Sequence, residues 1–550
     1  MLGPVLVGGA LTAAACSSDG ATSGLADAAN AATADAEAAE RNVSPTSDAP
    51  STEPVTTEPS AAEPGTDDPA SSTGTPPPVE ADPPGEEVAD DPSTTCLDTL
   101  PDIEMECGRL AVPVDYDDPS GDEYSLPYVV LPALGDDPAD EPIVFLQGGP
   151  GFSTLAIMPF FAELTEFRND HDMVFLEQRG TDPSGVFLRC APDLETFDDI
   201  QACRDGWVAD GIDLSSFTTL NAARDLATLR SVLGIEQWHL LGGSYGTTLA
   251  MVSMDHDHDG TASVVLDAPT APDVVIYNAD IESALNAASK IFANCAADED
   301  CNRRNPDLFD TNVANFDRLA IEPWNVTSPE LAAIFGPTID ALVYLEMNTA
   351  LVSGQPGALP AFVTAIAERD DDTLLQLVVS GEDADDPEAA DGDAAAADES
   401  GDDESGAGPG EFAIGLNYSI YCAEEAPFFD LDGPVETVDE WPAETVESFL
   451  PPFRETCEIW DVDPADPADV DQIQSAIPTL ILAGEYDHTT PLRQGEIAAA
   501  GLSEVELIEV PSTGHTTLDN ACARSIMADF FGAQTGDRSC LDASEPIVWQ

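Results

Sequence analysis

The sequence predicts an α/β protein with a mostly parallel, doubly wound sheet and a largely helical domain inserted between the two halves of its core. Short, continuously apolar runs recur along the chain, as expected for strands buried on both faces. Helical stretches separate them; residues 219–233, for example, carry Leu226, Leu229 and Leu233 at helical spacing. Because buried strands and helices alternate, the strands should pair in parallel. The predicted strands are an antiparallel entry pair, 109–116 and 124–133, then 142–149, 173–178, 238–243, 263–268, 478–484 and 505–510.

Composition predicts where the folded parts begin and end. Residues 96–272 and 476–550 carry the strand pattern and should form the two halves of the core. Residues 273–475 have a helical, strand-free pattern and are expected to form the inserted cap domain. Within it, the acidic stretch 381–410 has too few large apolar residues to fold, so we expect a disordered insertion there.

The first 95 residues are expected to lie outside the fold. Residues 1–15 are small and apolar, which is typical of a signal segment, and Cys16 follows in a sequence that resembles a bacterial lipoprotein signal with its lipidated cysteine. A cleaved secretory signal without lipid is the alternative. Residues 16–95 consist mainly of Ala, Asp, Glu, Ser, Thr and Pro, so they predict a disordered tether. We therefore expect an extracellular protein, held at the outer face of the cell membrane through Cys16.

The charge of the chain limits its partners. It carries 106 acidic and 17 basic residues, a formal net charge of −89 at pH 7. So few cations could not neutralise phosphates, and nucleic-acid binding is therefore not expected. The lipid anchor is the only membrane contact that the sequence predicts, and we expect a monomer.

Cysteine usage indicates an oxidising compartment. Eleven cysteines less Cys16 leave an even set of ten, which together with an exported N-terminus favours disulfides. Metal ligation is the alternative, but the chain has no CxxC pair or Cys/His cluster, so no metal site is expected. The cysteines fall in close sequential couples, which suggests the pairs 96–107, 190–203, 295–301, 422–457 and 522–540.

The stretch 238–250 contains the strongest chemical signal in the chain. An apolar run ends in Gly242-x-Ser244-x-Gly246, and a helical pattern of small residues follows at once. A serine on such a sharp strand-to-helix turn needs nearly side-chain-free neighbours two residues before and after it. The turn would lift the serine Oγ above the sheet and aim the N-terminus of the next helix at a developing oxyanion. The alternative is a glycine-rich turn with an incidental serine.

A second glycine-rich segment supplies the remaining oxyanion donors. Gln-Gly-Gly-Pro-Gly at 147–151 follows a predicted buried strand, and its glycines allow backbone N–H groups to approach a substrate oxygen. Pro150 has no N–H, which leaves the glycines as donors. We expect the oxyanion hole to consist of Gly148 and Gly149 together with the N–H of Tyr245.

The other members of a catalytic triad follow from chain order. In an α/β-hydrolase the nucleophile precedes the acid, and the acid precedes the histidine. His515 lies after the last predicted strand, and Asp487 lies in the loop after the strand before it. Glu485 competes with Asp487 but lies less deep in the loop, and His488 is adjacent to the acid. The remaining histidines precede Ser244 or follow it too early: His171, His239, His256 and His258.

These motifs, in this order and spacing, resemble the proline iminopeptidase and tripeptidyl aminopeptidase family of serine peptidases, with the exported actinobacterial tripeptidyl branch closest. They are Gln-Gly-Gly-Pro-Gly, Gln-Arg-Gly-Thr at 178–181, Gly-Gly-Ser-Tyr-Gly, Gly-Glu-Tyr-Asp-His-Thr-Thr-Pro at 484–491 and Gly-His at 514–515. The resemblance implies an α/β-hydrolase fold with a cap and the removal of residues from free peptide N-termini, without a cofactor. Gln147 stands where the family usually has His, Glu177 where Asp is common, and Tyr245 where proline iminopeptidases have Trp. For Arg179 a structural role is favoured.

The resemblance also suggests how a substrate is recognised. The segment 418–425 is similar to the family's cap segment, whose glutamate meets the substrate's α-ammonium, and here Glu424 is the first candidate and Glu425 the second. In so acidic a chain the alternative is that both are merely solvated. The sequence thus predicts an exported serine aminopeptidase acting on peptides through an acyl-enzyme, with Ser244 as nucleophile, His515 as base and Asp487 as acid. A carboxylesterase using the same triad, and a non-catalytic surface binding lipoprotein, are the alternatives.

Overall fold

An eight-stranded sheet forms the centre of the structure, which is a computed structural model. It describes residues 103, 105–135, 138–182, 185–190, 194, 196–274, 276–382, 412–428, 453–532, 538–543 and 547–550. Residues 1–95 with Cys16, Cys96 and almost all of the acidic stretch 381–410 lie outside the described residues, so those predictions are not tested. The strands are β1 (Glu106–Pro113), β2 (Glu123–Leu131), β3 (Ile143–Leu146), β4 (Met173–Leu176), β5 (Trp238–Gly243), β6 (Thr261–Asp267), β7 (Trp324–Asn325), β8 (Thr338–Ile339), β9 (Thr479–Gly484) and β10 (Val505–Val510).

The sheet has the predicted parallel core. Its strand order is β1-β2-β4-β3-β5-β6-β9-β10, in which β1 and β2 form the antiparallel entry and β4, β3, β5, β6, β9 and β10 run parallel. Along β3, Ile143 and Phe145 join one apolar cluster and Val144 and Leu146 join another, because successive side chains point to opposite faces. Continuous apolar runs therefore do mark strands buried on both faces, and the predicted fold class is confirmed.

Helices cover both faces of the sheet and form the inserted region. Thr219–Leu233 and Tyr245–His256 pack into the cluster on one face, and Met158–Glu163 and Ala521–Phe531 into the cluster on the other. The helices, in chain order, are α1 (Met158–Glu163), α2 (Thr165–Arg168), α3 (Phe197–Ala209), α4 (Thr219–Leu233), α5 (Tyr245–His256), α6 (Ile276–Ala297), α7 (Glu299–Arg304), α8 (Leu308–Ile321), α9 (Pro329–Phe335), α10 (Ala341–Gly354), α11 (Leu359–Glu368), α12 (Asp371–Glu382), α13 (Ile414–Glu424), α14 (Phe453–Trp460), α15 (Leu492–Ala500) and α16 (Ala521–Phe531).

The region between β6 and β9 has two kinds of packing. Helices α6 to α12 share an apolar cluster of their own, in which the ring of Tyr344 packs against those of Phe316 and Phe362. In contrast, α13 packs into the core cluster beside α4 and α5, with Leu416 and Ile420 fully buried there. The expectation that this region has no strands is wrong at β7 and β8, a ladder of two residues each that is too short to leave a periodic pattern.

Four disulfides lie in the described part of the chain. The pairs Cys190–Cys203, Cys295–Cys301, Cys422–Cys457 and Cys522–Cys540 are formed, as predicted. Cys107 is also disulfide-bonded, although its predicted partner is outside the described residues. Within the described ranges, no helix is long and apolar enough to cross a membrane.

Arg179 has the structural role that the sequence favours. Its guanidinium is buried and forms a two-pronged pair with Asp225, with Nε–Oδ2 at 2.7 Å and Nη2–Oδ1 at 2.6 Å. Nη1 donates to the carbonyl of Ser216, and the hydroxyl of Tyr116 donates to Asp225. The pair ties the turn after β4 to α4.

Candidate active site

Ser244 lies on a sharp turn between β5 and α5. Its backbone has φ 55° and ψ −127°, a conformation that L-residues rarely adopt. A Cβ on Gly242 would lie 2.3 Å from the carbonyl oxygen of Gly246, and one on Gly246 would lie 2.0 Å from that of Leu146. Both glycines are therefore required by close backbone contacts, as the elbow pattern predicts.

Three side chains from separate loops meet at this turn. The Oγ of Ser244 lies 3.0 Å from Nε2 of His515. Nδ1 of the same ring lies 2.9 Å from Oδ1 and 3.0 Å from Oδ2 of Asp487. Asp487 follows β9 and His515 follows β10, so all three residues stand at the carboxyl ends of parallel strands. The arrangement suits proton transfer from the serine to the imidazole, with the carboxylate orienting the ring.

Asp487 is held in its ionised form by its surroundings. Its side chain is buried, which opposes the charge, but the neighbouring His515 and His488 and the amide of Thr490 outweigh burial and hold the pKa of Asp487 below its usual value. Oδ1 accepts from the amides of Thr489 and Thr490 at 2.9 and 2.8 Å, and Oδ2 accepts from the Thr490 hydroxyl at 2.9 Å. A carboxylate with this many donors has one fixed orientation toward the imidazole.

His488, the neighbour of the acid, is placed differently. Its ring is buried and meets the ring of His515 edge-on at 5.8 Å. Burial, followed by the charge of His515, lowers the pKa of His488 to about 4. The ring is therefore neutral at neutral pH, and it is His515 that hydrogen-bonds the serine.

Sequence reasoning missed one buried acid at this site. Asp267 ends β6; both of its carboxylate oxygens accept the N–H of Thr517, at 2.8 and 2.9 Å, and its carbonyl accepts the N–H of Ser244 at 2.9 Å. It thereby joins the nucleophile turn to the His515 loop. Burial raises the pKa of Asp267 to about 7. The available signal was an acidic residue at the end of a buried apolar strand directly after the elbow helix.

The glycine-rich loop 147–151 lies against the nucleophile. A Cβ on Gly148 would be 2.9 Å from Cβ and 3.5 Å from Oγ of Ser244. Gly149 and Gly151 have φ values of 117° and 128°, a region that favours glycine. The N–H of Gly148 donates to Oε1 of Gln147 at 2.9 Å. Of the two predicted donors in this loop, only the N–H of Gly149 is not engaged by that contact. Tyr245 is the first residue of α5, and its N–H has no partner within the helix.

Glu177 holds the segment that follows this loop. Its buried carboxylate accepts four hydrogen bonds, from the hydroxyls of Ser153 and Thr181 and the amides of Thr154 and Leu155. Burial raises the pKa of Glu177 to about 7, and these donors oppose the rise. The glutamate thus fixes the segment that directly follows the oxyanion loop.

Glu424 and Glu425 end α13. Oε1 of Glu424 accepts the N–H of Thr219 at 2.6 Å, and Oε2 accepts the Thr219 hydroxyl at 2.6 Å. Burial raises the pKa of Glu424 to about 7, against these hydrogen bonds. Glu425 is buried, with 4% of its surface exposed. Neither glutamate is solvated in the way that the alternative for so acidic a chain supposed. Among the described residues, no group of three His, Cys, Asp or Glu side chains could hold a metal ion.

Two family profiles match separate parts of the chain. The profile described as alpha/beta hydrolase fold matches residues 141–319, and that described as TAP-like protein matches residues 446–540. Serine protease Hip1 of Mycobacterium tuberculosis is 28% identical over 238 residues, which cover 38% of this chain and 45% of that protein. Proline iminopeptidase of Xylella fastidiosa is 28% identical over 129 residues, 24% of this chain and 32% of that protein. The chain thus matches less than half the length of either relative.

The solved structure of another proline iminopeptidase was also found. The crystal structure of proline iminopeptidase from Mycobacterium smegmatis covers 78% of this chain and 98% of its own, at 16% identity and a TM-score of 0.33. A score this low adds nothing to the architecture described above. The parallel sheet, the elbow and the profile over residues 141–319 show an α/β-hydrolase fold, and the chain is similar to TAP-like proteins, to a serine protease and to proline iminopeptidases.

Proposed function

We propose that the protein is an exported serine aminopeptidase, which releases short peptides or single residues from the free N-termini of peptides through an acyl-enzyme. The observation that carries the proposal is the unbroken hydrogen-bonded chain from Ser244 Oγ through the imidazole of His515 to Asp487, at 3.0 and 2.9 Å. Each contact lies within the range over which a proton can be passed directly.

The chemistry follows from these contacts. Ser244 Oγ attacks the scissile carbonyl carbon while Nε2 of His515 takes the hydroxyl proton, and Asp487 stabilises the resulting imidazolium. The carbonyl oxygen, now negative, accepts hydrogen bonds from the N–H groups of Gly149 and Tyr245, and from Gly148 once the Gln147 side chain moves away. His515 then gives its proton to the leaving amine. Water, deprotonated by the same imidazole, attacks the carbonyl carbon of the acyl-enzyme. The ester bond to Ser244 Oγ then breaks, His515 returns the proton to that oxygen, and the acid product leaves.

The aminopeptidase part of the proposal rests on the relatives and on buried negative charge. One relative is named a proline iminopeptidase. An exopeptidase must recognise a charged α-ammonium, which a carboxylate in a partly desolvated site does well. Because both oxygens of Glu424 accept from Thr219, we assign the larger share of this recognition to Glu425.

The disulfides support export. Four cysteine pairs lie in the described part of the chain, and such bonds persist in oxidising compartments. Attachment through a lipid on Cys16, peptide substrates and a monomeric state complete the proposal. Labelling of the intact protein with a palmitate analogue, lost in Cys16→Ser, tests the anchor.

The deciding experiment compares two substrates that differ only at the N-terminus. A tripeptidyl chromogenic amide with a free amine should be cleaved about ten- to a hundredfold faster than its N-acetyl counterpart, because a charge-assisted hydrogen bond is worth roughly 1.5–3 kcal/mol. Glu425→Gln should reduce that preference, and Ser244→Ala should abolish cleavage of both. Equal rates on the two amides, with fast hydrolysis of simple esters, would support the carboxylesterase instead. Failure of a fluorophosphonate probe to label Ser244 would point to a binding protein.

A further inference from the structure

Helix α13 lies directly on the oxyanion loop. The N–H of Ala413, which caps this helix, donates to the carbonyl of Gly151 at 2.9 Å. The side-chain amide of Asn417 donates to the carbonyl of Pro150 at 3.4 Å, and the hydroxyl of Tyr421 donates to that of Gly149 at 3.2 Å. Donors spaced four residues apart lie on one face of a helix. One face of α13 therefore holds three successive carbonyls of the loop.

The C-terminal end of α13 reaches the other donor of the oxyanion hole. The Thr219 hydroxyl donates to Glu424, so its oxygen is left to accept from the hydroxyl of Tyr245, 2.9 Å away. Nε2 of Gln178 donates to the same tyrosine oxygen at 3.3 Å. A single relay therefore links Glu424 through Thr219 to the side chain of Tyr245, whose backbone N–H begins α5.

The loop needs such support from outside. Glycine has no side chain with which to anchor itself, and it adopts many backbone conformations with little difference in energy. Gly149 and Gly151 both adopt positive φ, and the Gln147 side chain engages the N–H of Gly148 and not theirs. Hydrogen bonds from a rigid helix remove that freedom. Cys422, within α13, is joined to Cys457 of α14, which restrains the helix in turn.

We propose that α13 positions both halves of the oxyanion hole, the loop 149–151 through Asn417 and Tyr421, and Tyr245 through Glu424 and Thr219. The proposal rests on the proposed function only in requiring acyl transfer at Ser244. These are positioning residues, because they act through the backbone N–H groups and do not contact the substrate oxygen. The inserted region thus helps to build the catalytic centre.

Tyr421→Phe is the first test, because it removes one hydroxyl and little volume. Loss of one positioning hydrogen bond should lower kcat about three- to tenfold with little change in KM, since the oxyanion forms only as the reaction proceeds. The inhibition constant of a peptide aldehyde, which mimics the tetrahedral state, should rise by the same factor. The matched control is Tyr418→Phe on the same helix: this ring packs edge-on against Trp460, and its variant should keep wild-type kcat. Equal behaviour of the two variants would overturn the proposal.

Glu424→Gln separates positioning from recognition of the substrate. If Glu424 holds Tyr245, kcat should fall by the same factor on the free-amine amide, the N-acetyl amide and a phenyl ester. A loss confined to the free-amine substrate would mean that Glu424 reads the N-terminus, and the positioning role would be refuted. The ester arm reports on the oxyanion hole even if the protein is an esterase, so failure of the aminopeptidase proposal is distinguished from failure of this one. Urea unfolding of each variant checks that the loss is not one of folding.

Discussion

Replacing Asp487 by Asn should invert the tautomer of the catalytic histidine. Oδ1 of Asp487 accepts two backbone amides, from Thr489 and Thr490, so the asparagine oxygen must occupy that position. The NH₂ group then falls where Oδ2 was, 3.0 Å from Nδ1 of His515. The retained oxygen lies 2.9 Å from Nδ1, but both of its lone pairs already accept backbone amides, and an NH₂ group only donates. Nδ1 therefore becomes the acceptor, and the ring proton moves to Nε2. Nε2 can then no longer accept the proton of Ser244.

The size of the effect follows from the role of the carboxylate. Loss of the orienting acid through the wrong tautomer lowers kcat by roughly 10⁴-fold, or about 5.5 kcal/mol of transition-state stabilisation. Removing the nucleophile or the base lowers kcat further, on the order of 10⁶-fold. We therefore expect Asp487→Asn to lie between wild type and the Ser244→Ala and His515→Ala variants. The reverse orientation of the asparagine is disfavoured, because it would set NH₂ against two buried N–H donors.

The assay measures kcat on the tripeptidyl chromogenic amide at pH 7.5. The wild-type rate is divided by the number of active sites that a fluorophosphonate titrates, and each variant's rate by the amount of folded protein, which urea unfolding gives. Asp487→Ala serves as a second variant, since it removes the carboxylate without imposing a tautomer. A kcat for Asp487→Asn within tenfold of wild type would refute the assignment. Asp267 would then be the first alternative acid, because it too lies at a strand end beside His515.

Other perturbations have equally definite outcomes. Asp225→Asn leaves the Arg179 guanidinium buried without its carboxylate, so urea unfolding should show a loss of about 3–5 kcal/mol with kcat per folded molecule unchanged; a loss below about 1 kcal/mol would contradict this. Burial raises the pKa of Asp267 to about 7, so the stability that this group contributes is present at pH 4 and is lost as the pH rises through 7. Wild type should therefore lose stability relative to Asp267→Asn between those values, and parallel curves would count against it. Replacing Cys522 and Cys540 together by Ala frees the start of α16, next to the histidine loop. It should lower both kcat and stability, the latter by about 2–4 kcal/mol, and wild-type values for both would be evidence against that role.

The sheet, and the residues that meet at Ser244, could be predicted from the sequence for two physical reasons. Strands buried on both faces require continuous apolar runs, and the bounds of β5 and β10 agree with the predicted ones. Close backbone contacts at the elbow require glycine at 242 and 246, and these two glycines identify Ser244 in the sequence. Once the nucleophile is known, chain order in this fold points to the loops after the last two strands, where Asp487 and His515 lie.

The contacts that hold the oxyanion hole could not be predicted in this way. Residues 415–423 of α13 are all buried, so the helix has no polar face from which its packing partner could be inferred. Its contact with the loop joins Ala413 to Gly151, far apart in the chain. The role of Asp267 is hidden for a similar reason, because its partner Thr517 belongs to the other half of the core.

The place of β9 between β6 and β10 has a consequence for the order in which the chain can fold as it is synthesised. About 210 residues separate the end of β6 from the start of β9, so at roughly 5–20 residues per second some 10–40 s pass between the two strands. Throughout that interval β6 is an apolar edge strand whose outer N–H and C=O groups have no neighbour to pair with. Such an edge is a template for pairing with other nascent chains. Folding yield should therefore depend on how well that edge is protected while the inserted helices are being made.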